Sequence, residues 1–134
     1  MRIEIRQDAP VSAELRRIAL ALSGTALESL SKRSQYPEEA VHESRKAIRS
    51  TRALLRLYRK ALGKQRYAEH KGLLRQAAQL LSPLRDAHVR LATIDKLIEL
   101  VGDKDGLGVP LRKHISERLE IMTGSLEHAA TKAE

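Results

Sequence analysis

An all-α fold is predicted, an antiparallel helical bundle of four to five helices in a single domain over 1–134. Three observations predict it. Apolar residues recur at spacings of three and four through most of the chain. The apolar set is Leu, Ala, Ile and Val, with no Phe or Trp and only three Tyr, set among many Lys, Arg, Glu and Gln, and that mixture favours helices over strands. The connections between the amphipathic segments are short, which makes sequential helices antiparallel neighbours.

Taken in order, residues 1–10 ("MRIEIRQDAP") read as an extended lead-in. A first helix over about 11–33 carries Leu15, Ile18, Leu22, Ala26 and Leu30 on one face. "SQYPEEAV" is a loop followed by a helix start, with Pro37 in the first turn and Glu38 and Glu39 at the positive end of the dipole. That second helix runs over about 38–62 and Gly63 stops it. A third spans about 65–81, with Leu73, Leu74, Ala77, Leu80 and Leu81 inward. "SPLRD" then reads as a break, Ser82 capping and Pro83 opening a fourth helix over about 83–101. "GDKDGLG" is a loop by its glycines. Pro110 opens a fifth helix over about 110–128, with Leu111, Ile115, Leu119, Met122 and Leu126 on one face.

Net charge is +8 and the sequence pI is near 10.1. A balance this basic points to polyanionic partners: nucleic acid, an anionic membrane face or inorganic polyphosphate. The absence of cysteine excludes disulfides and thiolate metal sites. No apolar run approaches the roughly 20 residues of a membrane span, and the N-terminus has no signal-peptide h-region. The expected location is therefore the cytoplasm.

The charge is concentrated on the second helix. On a wheel of roughly 100° per residue, His42, Arg45, Lys46, Arg49, Arg52, Arg56, Arg59 and Lys60 share an arc of about 140°. Val41, Ile48, Leu54, Leu55, Tyr58 and Leu62 lie opposite. A face that serves only solubility mixes signs and gains from Glu–Lys pairs. Here like charges sit three and four apart, which costs a few tenths of a kcal/mol per pair. Lys64, Arg66, Lys71 and Arg75 add to it with only Glu69 in opposition. An anion-binding face is the better reading, and Arg45 and Arg49 are both expected toward solvent. Arg outnumbers Lys in the stripe, and its planar fork suits phosphate oxygens. Single-stranded nucleic acid usually needs aromatic platforms, which three tyrosines supply poorly, so nucleic acid is the less favoured polyanion. An acidic protein is a further alternative.

Two segments resemble the conserved histidine α-helical domain (CHAD) family. "VHESRKAIRSTRALLRLYR" (41–59) is similar to the family's His-x-x-Arg-Lys-x-x-Arg-x-x-Arg helix, with His42, Arg45, Lys46, Arg49 and Arg52 on those positions. "LLSPLRDAHVRL" (80–91) is similar to its Leu-Gly-x-x-Arg-Asp-x-Asp-Val segment, where Arg85, Asp86 and Val89 match. Ser82 stands in place of the usual glycine and His88 in place of the second aspartate. The resemblance implies an all-helical protein that binds inorganic polyphosphate through a basic groove without cleaving it, at polyphosphate granules. The family domain holds two similar bundles. This chain supplies one such helix and so resembles the N-terminal half, which makes a homodimer rebuilding a two-bundle groove an expectation.

The polyphosphate-binding set is then His42, Arg45, Lys46, Arg49, Arg52, Arg56 and Arg85. Asp86, Lys60, Lys71 and Arg75 are supporting, with Asp86 orienting Arg45 or Arg49. No cofactor is expected, and no metal either: none of the five histidines has another three or four residues away, and there is no HExxH or paired-carboxylate pattern. Nor is there a P-loop or a nucleophile–base pair, so the chain is not expected to be an enzyme.

Overall fold

A computed structural model describes residues 4, 6 and 8–131. It is all-α: α1 (Val11–Ser31), α2 (Pro37–Leu57), α3 (Arg59–Val101) and α4 (Gly108–Thr131). Residues 1–3, 5 and 7 of the predicted lead-in lie outside the described residues. Among those residues no helix is long and apolar enough to cross a membrane. The chain divides into two compact units, Met1–Ala78 and Gln79–Glu134.

In the first unit, α1 packs on α2. Ile18 and Leu22 of α1 and Ala40, Val41, Ser44, Ala47 and Ile48 of α2 are buried, at spacings of three and four along each helix. Three of the buried α2 residues, Ala40, Ser44 and Ala47, are small. Ser44 is fully buried, and its hydroxyl donates to the Ala26 carbonyl at 3.2 Å, which removes the cost of burying it. Pro37 opens α2 with Glu38 and Glu39 in the first turn, as the sequence predicts. The Tyr58 hydroxyl donates to the Ser12 carbonyl at 2.6 Å and so ties the end of α2 to the start of α1.

The start of α1 is held by a charged cluster. The Glu14 side chain is only 4% exposed. It accepts from Arg17 Nε at 3.0 Å and Arg17 Nη2 at 2.8 Å, and from the Arg6 backbone N–H at 3.1 Å. Arg17 also donates to the Glu4 carbonyl at 2.8 Å. These bonds, the Arg17 pair first, hold the Glu14 carboxyl down at about 2 from its ordinary 4.5, against the opposing effect of burial.

The helix predicted over 38–62 divides. α2 ends at Leu57, Tyr58 closes it, and the turn from Arg59 to Leu62 begins α3. Gly63 interrupts α3 with φ 76° and ψ 166°, a left-handed setting that glycine adopts without a Cβ penalty. Two helical runs thus meet at a kink at Gly63, and the helix stop falls where the sequence places it.

The helices predicted over 65–81 and 83–101 are one. α3 continues through Pro83. A proline within a helix removes one hydrogen bond and costs about 3 kcal/mol. Leu81, Leu84 and Ala87 are buried on either side of it. Burying a leucine yields about 1.5–3 kcal/mol, so this face offsets the missing bond.

In the second unit, Asp103 caps α4, its carboxylate accepting from Gly108 N at 2.8 Å and Val109 N at 3.1 Å. The helix thus starts ahead of Pro110, which falls in the first turn. A Cβ on Gly108 would stand 2.9 Å from Ile98 Cγ1, so any side chain there would force Ile98 to shift. Arg112 pairs with Asp95 and joins α4 to the C-terminal part of α3.

Candidate polyanion-binding site

The buried residues of α2 fix which way its cations point. With Ala40, Val41, Ser44, Ala47 and Ile48 inward, His42, Lys46, Arg49, Arg52 and Arg56 are exposed, as are Arg59 and Lys60 beyond the helix end. Leu54, Leu55, Tyr58 and Leu62 are half-buried.

Arg45 departs from the expected solvent-facing position. It is half-buried and engaged within the protein. The reason is its register: Val41 four residues before it and Ile48 three after it are both buried, which places Arg45 at the margin of the packed face.

The stripe is also not uniformly free of acid. Lys46 Nζ lies 2.9 Å from both Glu43 oxygens, and His42 Nε2 is 3.8 Å from the same carboxylate. The Lys46 hydrogen bond keeps the Glu43 carboxyl below the usual range, against its partial burial. Glu43 and Lys46 are three apart on one helix, and that i,i+3 spacing is visible in the sequence.

From Arg49 onward the picture changes. Arg49, Arg52 and Arg56 of α2 line one cavity of about 270 Å³ together with Leu55 and with Tyr67 and Lys71 of α3. The spacing 49, 52, 56 puts the three guanidinium groups on one side of α2, and Tyr67 and Lys71 share a side of α3 by the same i,i+4 rule. Among the described residues none of these four cations has an acidic partner. Tyr67 was not a predicted site residue. Its ring lies under the Arg59 guanidinium, 5.5 Å from the centroid.

The other named positions fall elsewhere. Lys60 and Arg75 are exposed and do not line the cavity. Arg85 and Asp86 belong to the second unit, Arg85 half-buried and engaged, Asp86 exposed. A larger cavity of about 610 Å³ in the first unit has six leucines in its lining, among them Leu15, Leu54, Leu73 and Leu74. Its apolar wall does not suit a polyanion.

Comparison with known families decides the assignment: the CHAD domain profile matches residues 17–134. The chain belongs to the CHAD family. The match takes in the basic face of α2 and all of α3 and α4. No curated protein and no solved structure matches the chain. Both CHAD departures lie inside α3. Ser82 is half-buried next to Pro83, and His88 is 7% exposed on the same face as Leu81 and Leu84.

Proposed function

We propose that this CHAD domain binds inorganic polyphosphate on the basic face of α2 and holds it without cleaving it. The observation that carries this reading is the cavity in which Arg49, Arg52, Arg56 and Lys71 converge without an acidic partner among the described residues. Like charges gathered in this way repel one another, and a bound polyanion relieves the repulsion. Guanidinium forks match phosphate oxygens in pairs. His42, Lys46 and Lys60 extend the positive field along the helix, while Arg45 acts on this reading as a support.

The deciding measurement is competition at fixed salt among long-chain polyphosphate, duplex DNA and single-stranded RNA. Polyphosphate should win by at least about tenfold, a difference of roughly 1.4 kcal/mol. Tyr67 in the cavity offers a stacking surface and favours the rival reading, a single-stranded nucleic-acid binder. RNA binding as tightly as polyphosphate would establish that rival. Equal binding of all three would leave a general polyanion binder.

Holding without cleaving is tested separately. Long-chain polyphosphate incubated with the protein should keep its length on a gel, and release of phosphate would overturn this part of the reading. On the same reading the protein works in the cytoplasm at polyphosphate granules, where a tagged chain should be seen and a cavity variant should not. Pairing of two chains about a two-fold axis would set a second basic helix opposite α2. A strict monomer in light scattering, with and without polyphosphate, would exclude that assembly.

A further inference from the structure

The basic cavity has a definite extent, and extent selects among polyanions. From Arg49 to Arg56 the row of guanidinium groups covers about 10 Å of helix, at 1.5 Å per residue. Lys71 supplies the fourth cation from α3. The Tyr67 ring, pinned under Arg59, contributes to the wall of the cavity.

Inorganic polyphosphate carries one negative charge on each internal phosphate, and single oxygens bridge its phosphorus atoms. No other biological chain sets charge so densely. Within a chain, a run of about four such internal phosphates supplies one counter-charge for each of the four cations, and a free oligophosphate carries further charge on its end phosphates. The 270 Å³ of the cavity equals roughly nine water volumes at about 30 Å³ each, enough for a short run of phosphates. A nucleic acid puts a sugar between successive phosphates, so the same space takes fewer charges and must also admit the sugars.

We infer that the cavity is a subsite for about four consecutive phosphates, filled by tetraphosphate and gaining little from a longer chain. This rests on the polyphosphate reading above and gives it a length. The rest of the α2 stripe then guides the chain, and the cavity holds it.

The test is calorimetry on the full chain with pyrophosphate, tripolyphosphate, tetraphosphate and long-chain polyphosphate at one salt concentration. Affinity should rise by about tenfold with each phosphate up to four, as each adds a charge-assisted contact. Beyond that it should level off once the overlapping registers of a long chain are counted. For long-chain polyphosphate, log K against log salt should fall with a slope of about −3, from roughly 0.7 for each of the four cations as on a single strand. Lys71→Gln should reduce that slope by about 0.7 with the helical circular dichroism unchanged.

A steady climb in affinity past four phosphates, with no break, would overturn the subsite. So would an unchanged slope in Lys71→Gln. If long-chain polyphosphate binds and tetraphosphate does not, the subsite is wrong and the polyphosphate reading stands. If neither binds, both fall.

Discussion

Two sets of arginines stand on neighbouring helices and are treated in opposite ways. Arg17 on α1 is held by a carboxylate almost wholly withdrawn from solvent, through two of its nitrogens. Its pKa is raised by that bond. Arg49, Arg52 and Arg56 on α2 have no acidic partner among the described residues. The fold can neutralise an arginine when it needs one in place, and the acid required is a single residue three positions away. α2 carries no acid after Glu43. The difference separates charge used to build the first unit from charge left available to a ligand.

The strongest way to break this comparison is to reverse the open arginines. Arg49→Glu with Arg52→Glu should weaken polyphosphate binding by at least about a hundredfold, because like charges then face the ligand. Both positions are exposed, so the helical circular dichroism should not change. Retained affinity would sink the assignment of the site.

A second test separates the mount from the site. Leu22→Ala removes a side chain that is 4% exposed from the α1–α2 core. It should cost about 3 kcal/mol in urea unfolding, while the protein that remains folded binds polyphosphate as before. A loss of affinity in the folded fraction would show that the basic face depends on finer core geometry than proposed.

The third test concerns the closed arginine. Glu14 titrates lower in the folded protein, about 2 against an ordinary 4.5. Its contribution to stability is therefore complete above about 4.5 and is lost as pH falls toward 2. Urea midpoints of the wild type should drop across that window. Glu14→Gln should have a lower midpoint at neutral pH and a shallower decline below 4.5. Polyphosphate affinity at pH 7 should be the same in both proteins, since Glu14 takes no part in the cavity.

The smallest effect is expected at Lys46, whose charge Glu43 already balances. Lys46→Gln should change affinity by less than about twofold, in keeping with the small worth of an exposed pair. A larger loss would mean that Lys46 leaves Glu43 when ligand arrives.

The all-α class was legible because helical periodicity is a local property and this chain keeps it nearly throughout. The basic face of α2 was legible for the same reason: Val41 and Ile48 fix the inward direction and the cations follow from it. What the sequence did not show depends on more than one element. Tyr67 is a lone aromatic on α3, and nothing along the chain says that it comes beside Arg52 and Arg56. Arg45 looked equivalent to Arg49 on the wheel, but the margin of a buried face is set by its neighbour. Pro83 misled because Ser-Pro is a helix start by its local chemistry. Its interior position follows from Leu81, Leu84 and Ala87 continuing one apolar face across it. Glu43 is a different case, since its i,i+3 spacing to Lys46 is visible in the sequence.

The four unpartnered cations of the cavity have a consequence for the protein when it is empty. Arg49, Arg52 and Arg56 repel one another as like charges three and four apart on a helix do. Dissolved salt then acts in two opposite directions. It screens the repulsion and so strengthens the unliganded protein, and it competes with the polyanion and so weakens the complex. A melting temperature measured alone should rise with salt, and the increase produced by polyphosphate should shrink over the same range.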